Sequence, residues 1–151
     1  MKKFLVVVSL LAFATAALAA DAPMQKASLY KRLGGYDAVA AVCDDFIGRL
    51  ATDKQIAPFL AGHSQDSLKK LRQNVVDLVC QATGGPCYYT GRDMKTAHAG
   101  MGITEAQWDS AVADLVASLD HFKVGQAEKD ELLGAVSSFK KDIVDAKTAM
   151  K

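Results

Sequence analysis

The chain has 151 residues, half of them apolar and 23% charged, with 18 Lys and Arg against 17 Asp and Glu. A chain of this length suits one domain with one core. The near balance of charge excludes the basic stripe or patch that a nucleic-acid binder carries.

Met1-Lys2-Lys3 is a short positive region, Phe4 to Phe13 is apolar, and Ala17-Leu18-Ala19 is a small-x-small cleavage signal. This is the layout of a secretory signal peptide over residues 1–19, with the mature chain starting near Ala20. An uncleaved N-terminal anchor is the alternative, although the apolar run is short and wrongly flanked for a membrane span. The expected location is a bacterial periplasm, with no stable membrane insertion once the signal is removed. Loss of Lys2 and Lys3 leaves 16 basic residues against 17 acidic ones. Residues 20–28 form a polar leader, and the folded domain is expected over 29–151.

Strand signals are weak and helical patterns dominate. Leu29 to Leu33 reads as a short opening helix stopped by Gly34-Gly35. Tyr36, Val39, Val42, Cys43, Phe46, Ile47 and Leu50 recur at three- and four-residue spacing, the stripe of a second helix. A brief segment from Gln55 to Leu60 carries Ile56, Phe59 and Leu60. Ser64 or Asp66 then caps a helix whose buried side is expected to be Leu68, Leu71, Val75, Leu78 and Val79, ending at Gly84-Gly85. Thr104-x-x-Gln107 reads as a capping box. It opens a long helix through Trp108, Val112, Leu115, Val116, Leu119 and Phe122 that is expected to end near Gly125. A last helix is expected from Ala127 to Asp145. The fold class is all-α.

Three cysteines lie in the mature chain. Cys80 and Cys87 are close in sequence across a Gly-Gly-Pro hinge, and an exported protein sits where such pairs commonly bridge. The alternative is a reduced pair with one thiol buried. Cys43 reads as a small buried hydrophobe on the second helix. Zinc is disfavoured because no second pair stands at finger-like spacing. Covalent c-type haem attachment is disfavoured because C-x-x-C-H is absent.

The stretch GGPCYYTGRDMKTAHAGMGI, from Gly84 to Ile103, carries the strongest chemical signal. His98 falls on a very short helix followed by Gly100 and Gly102, so its imidazole is aimed without a long helix behind it. Neutral imidazole ligates iron well, and haem iron takes one such axial group. By spacing alone the same histidine also reads as an ordinary surface or core residue. The run Gly84-Gly85-Pro86, Tyr89-Thr90-Gly91, Met94, His98 and Ile103-Thr104, with Gly34-Gly35 upstream, resembles a group I truncated haemoglobin. The resemblance spans Leu29 to Ile143.

That resemblance implies a two-over-two helical sandwich around haem b (iron protoporphyrin IX), with His98 as the proximal iron ligand. It places Met94, Ala97 and Ile103 against the proximal face, with Trp108 and Val112 behind them. Lys95 and Arg72 are its candidates for the propionates. Phe46, Ile47, Phe59, Leu71 and Val75 would complete the pocket. Here the chain departs from the family: many members carry tyrosine where Ile47 stands, and glutamines where Leu71 and Val75 stand. Those residues donate hydrogen bonds to the gas ligand, so an apolar pocket implies weaker hold on dioxygen. Gln73, Asn74 and His63 are the remaining nearby donors. The implied function is binding of a diatomic gas (dioxygen, nitric oxide or carbon monoxide). Nitric oxide dioxygenation with a separate electron donor, or a peroxidase-like side activity, is a further implied chemistry. The alternative is a haem-free periplasmic helical binding module.

Overall fold

The computed structural model describes residues 26–145, and the expected signal peptide, most of the polar leader and residues 146–151 lie outside them. The described residues form α1 (Leu29–Arg32), α2 (Tyr36–Thr52), α3 (Ala57–Leu60), α4 (Gln65–Ala82), α5 (Met94–His98), α6 (Glu105–His121), α7 (Gln126–Ser137) and α8 (Lys140–Ile143). No strand occurs among the described residues. None of the helices in that range is long and apolar enough to cross a membrane.

Both glycine pairs do the same physical work. After α1, Gly34 N–H donates to the Lys31 carbonyl and Gly35 N–H to that of Tyr30; after α4, Gly84 donates to Gln81 and Gly85 to Cys80. These are the paired bonds of a Schellman stop, which needs a left-handed residue just past the helix. Gly34 and Gly84 supply it, with φ of 103° and 80°. Helix α1 then lies across the end of α4, where Tyr30 N–H donates to the Thr83 carbonyl at 2.8 Å.

Helix α2 is the hub, packed against α3, α4 and α6. One core cluster joins Leu29 of α1, Leu115 and Leu119 of α6 and Leu132 of α7, with Phe46 and Val79 packed on it. A second joins Val39, Ala40 and Cys43 of α2 to Val76 of α4. Burying each such aliphatic side chain contributes about 1.5–3 kcal/mol. A polar seam also crosses from α2 to α6. Asp45 accepts from Arg49 at 2.6 Å and pairs with His121 Nδ1 at 3.0 Å, while the Ser110 hydroxyl donates to Asp53. Arg49 and then Ser118 and His121 hold the Asp45 carboxyl down, at about 2.

Three expectations need correction. The buried line of α4 is Val76 and Cys80, whereas Leu68, Leu71, Val75, Leu78 and Val79 are half-buried. Helix α4 meets α2 along the Val76 line, so the longer apolar side chains flank that contact. Helix α6 stops at His121, four residues before Gly125, in a Schellman turn built on Lys123 at φ 55°. Lys123 N–H donates to the Asp120 carbonyl and Val124 N–H to that of Leu119, and Val124 packs on the core. The last helix is two pieces. Ser137 and Ser138 turn their hydroxyls back onto the carbonyls of Leu133 and Ala135, which competes with helix continuation. The break lets α8 fold against α5. It is held there by the Lys140–Glu105 ion pair and by Asp145 N–H donating to the Ile103 carbonyl.

Candidate functional site

Helix α5 has five residues, too few to persist alone in water. Asp93 caps it: its carboxylate accepts from Thr96 N–H at 2.9 Å and from the Thr96 hydroxyl at 2.7 Å. These bonds hold the Asp93 carboxyl below its ordinary range. His98 is the last helical residue and is half-buried. Its Nδ1 lies 2.8 Å from the Met94 carbonyl oxygen. A carbonyl only accepts, so Nδ1 carries the proton and donates, and the lone pair of the neutral ring sits on Nε2. A hydrogen bond to backbone at one ring nitrogen, with the other free, is how ligating histidines are held.

Around this histidine, Ile103 and Trp108 are buried, while Met94, Ala97 and Val112 are half-buried. On the other helices, Ile47, Leu50, Ile56, Phe59, Leu60, Leu68, Leu71 and Leu78 are half-buried. None of these belongs to either core cluster or packs on one. These half-buried side chains, on α2, on α4 and over the Ile56–Leu60 segment, are an apolar set apart from both core clusters. Phe46 and Val75 differ, since each also packs on a core cluster. Leu50, Ile56, Leu60, Leu68 and Leu78 were not among the expected pocket residues.

The expected cations are treated differently by the fold. Arg72 extends its fork to Asp44 of α2, at 2.7 and 2.9 Å, and binds α4 to α2. The resemblance implies a propionate for Arg72; in the fold its guanidinium pairs with Asp44. Lys95 is exposed and has no ion-pair partner among the described residues. Of the three alternative donors, Gln73 reaches Tyr36 and Asp77 on the outer face, and His63 is exposed. Asn74 is half-buried and has no hydrogen-bond partner among the described residues.

The cysteines divide as expected. Cys80 and Cys87 form a disulfide, and Cys43 is buried as a free thiol. Burial, then Asp44, pushes the Cys43 thiol up to about 12, so it stays neutral.

The bacterial-like globin family matches residues 28–145. The chain belongs to that family. It is 32% identical over 119 residues to a group 1 truncated haemoglobin of Mycolicibacterium paratuberculosis, covering 79% of this chain and 85% of that one. A second, from Nostoc sp., is 30% identical over 118 residues, 78% of this chain and 98% of the relative. Among solved structures, the 2/2 haemoglobin of a Synechococcus species superposes with TM-score 0.71 at 29% identity, covering 78% of this chain and 98% of that one. The truncated haemoglobin of Tetrahymena pyriformis gives 0.73 at 24% identity, with the same coverages. The fold is therefore the two-over-two truncated globin fold.

Haem b is the cofactor of this family, and haem-based gas binding is its general function. The residues present fit that group. An imidazole held through Nδ1 by backbone, with no protein partner on Nε2 among the described residues, meets the need for one axial nitrogen. The half-buried apolar set on α2, α3 and α4 suits the faces of a flat apolar ring. Among the described residues, no group of three or more His, Cys, Asp and Glu stands together as a metal site.

Proposed function

We propose that this truncated haemoglobin is an exported haem protein whose iron ligand is His98, and that it binds a diatomic gas in a pocket with few hydrogen-bond donors. The Nδ1–Met94 carbonyl bond carries this reading, because it fixes the tautomer and orients the ring from its own helix. Haem, when bound, supplies the iron at which the gas ligand binds. The chain's part is ligation through Nε2, exclusion of water by the apolar set, and a cation at Lys95 for a carboxylate on the ring edge.

Ile47 and Leu71 have no polar atom to offer a ligand, and Val75 is aliphatic as well. This favours nitric oxide and carbon monoxide, which need no donor, over tight storage of dioxygen. Conversion of nitric oxide and dioxygen to nitrate consumes an electron in each cycle. A nitric oxide dioxygenase role therefore needs a separate electron donor. Support for export comes from the leader sequence and agrees with a disulfide in the fold, since such bonds persist in oxidising compartments.

Absorption spectra of the purified mature protein in ferric, ferrous and carbon monoxide forms test the haem reading. A Soret band that shifts among the three forms is expected. A colourless protein that takes up no haem would favour the haem-free binding module. Mass determination of periplasmic protein should give a chain beginning near Ala20. For the dioxygenase role, one nitrate should appear for each nitric oxide consumed when a reductant is supplied.

A further inference from the structure

We infer that the Cys80–Cys87 disulfide and the Gln81 amide are positioning groups for His98, joining haem retention to the thiol–disulfide state of the chain. The inference rests on the reading of His98 as the iron ligand. Helix α5 is one turn long, so beyond its contact with α8 its place is set by what holds its two ends. On the C-terminal side the anchor is Ile103, buried and joined through its carbonyl to Asp145 N–H at 2.9 Å.

On the N-terminal side the anchor is residues 86–92. Among the described residues, that segment has two polar or covalent ties to the rest of the fold. One is the disulfide from Cys87 to Cys80. The other is Tyr89 N–H donating to Gln81 Oε1 at 2.7 Å. Both ties start from adjacent residues at the end of α4, the helix that carries Leu71 and Val75. The segment then passes the constraint forward. The Tyr89 hydroxyl donates to the Arg92 carbonyl at 2.5 Å, and its ring lies against Gly91 so closely that a side chain there would displace it. Asp93 follows at once as the cap of α5, and the Met94 carbonyl receives His98 Nδ1–H. The path from α4 to the imidazole is therefore short, local and two-pointed at its root.

Opening the disulfide leaves one neutral hydrogen bond, from Tyr89 N–H to an exposed glutamine, to hold the loop. Cys80 is fully buried and Cys87 half-buried, so a reductant reaches Cys87 Sγ first. A dithiol reductant attacking there forms a mixed disulfide and releases the Cys80 thiolate. The reductant's second thiol then displaces Cys87 and closes the reductant's own disulfide. In total two electrons and two protons pass to the pair, giving two thiols.

The test uses the mature, haem-loaded protein with two readouts: the rate of haem transfer to excess scavenging apoglobin, and the iron–histidine stretching band of the ferrous form. Cys87→Ser and dithiol-reduced wild type should lose haem several-fold faster and show a shifted, broadened band. Gln81→Ala should move both readouts the same way by less. Gln81→Glu, which keeps an acceptor for Tyr89 N–H, should stay close to wild type. A band that is present in wild type, absent in His98→Ala, and unchanged in Cys87→Ser, Gln81→Ala and reduced protein overturns the clamp alone. If Cys87→Ser only melts earlier, with wild-type band and haem-loss rate, the disulfide is merely structural and the inference fails. A wild-type protein whose band survives His98→Ala removes the ligand assignment itself, and the clamp with it.

Discussion

Replacing Gly85 by alanine would put a methyl carbon 2.6 Å from Cys80 Sγ, 2.6 Å from Tyr30 Cδ2 and 2.8 Å from the Cys80 carbonyl oxygen. Carbon contacts are comfortable near 3.5–4.0 Å, so each neighbour must yield by roughly 1 Å. None is the loose end of a flexible chain. The sulfur is in the disulfide, the oxygen already accepts Gly85 N–H at 2.8 Å, and Tyr30 is pinned through its own N–H to Thr83. Overpacking costs about 1–3 kcal/mol, and three fixed neighbours put Gly85→Ala at the upper end, about 3 kcal/mol. For a domain of this size that lowers the melting temperature by roughly 10 °C. Gly48→Ala is the matched control, since it lies inside α2 with nothing within 4 Å of the new methyl. It should stabilise by about 0.4–1 kcal/mol through helix propensity and a less free unfolded chain. Thermal unfolding followed by far-ultraviolet circular dichroism, on protein with the disulfide verified by mass, compares the two. A Gly85→Ala protein melting within about 2 °C of wild type would mean that the methyl meets no such clash.

Ile47→Tyr introduces a donor on α2 at a half-buried position outside both core clusters, so the core is not overfilled. A hydrogen bond to a partly charged ligand contributes about 1.5–3 kcal/mol, so oxygen release, measured by carbon monoxide displacement in stopped flow, should slow roughly tenfold or more. A slow wild type and an unchanged mutant would point to Asn74 as the donor. Lys123→Gly should stabilise the protein by roughly 0.5–1 kcal/mol, because Lys123 sits at φ 55° in the stop of α6, where glycine has no Cβ penalty; an unchanged melting temperature would count against it. The folded Asp45 carboxyl titrates at about 2, below its ordinary 3.8, so it contributes stability above the ordinary value that disappears as pH falls through about 2. The melting-temperature gap between wild type and Asp45→Asn should therefore be constant near neutrality and close between about pH 4 and pH 2; a gap independent of pH would contradict it.

The helices were legible because each rule behind them is local. The α2 and α6 stripes repeat within the chain, the Thr104–Gln107 capping box is present, and both glycine pairs sit where a left-handed residue is required. The stop at Lys123 was not legible, since lysine carries no preference for positive φ and the nearest glycine is Gly125. The break at Ser138 was also hidden, because α8 turns to reach α5 through contacts remote in sequence. In the site, the short helix that carries His98 and the Cys80–Cys87 bridge were both expected, from the glycine hinges, the resemblance and the short sequence separation. The Arg72–Asp44 pair could not be foreseen, because the two residues lie on different helices and no local rule pairs them. The division of half-buried aliphatics between core and pocket likewise depends on how α2 and α4 are rotated against each other.

Removing the imidazole in His98→Ala asks whether His98 Nε2 ligates the iron. The variant is purified beside wild type and its ferrous and carbon monoxide spectra are recorded with and without added imidazole. The variant should be a helical protein that retains haem poorly and recovers a wild-type-like spectrum when imidazole enters the space left by the side chain. Undiminished haem retention with an unchanged ferrous spectrum and no response to imidazole would contradict it.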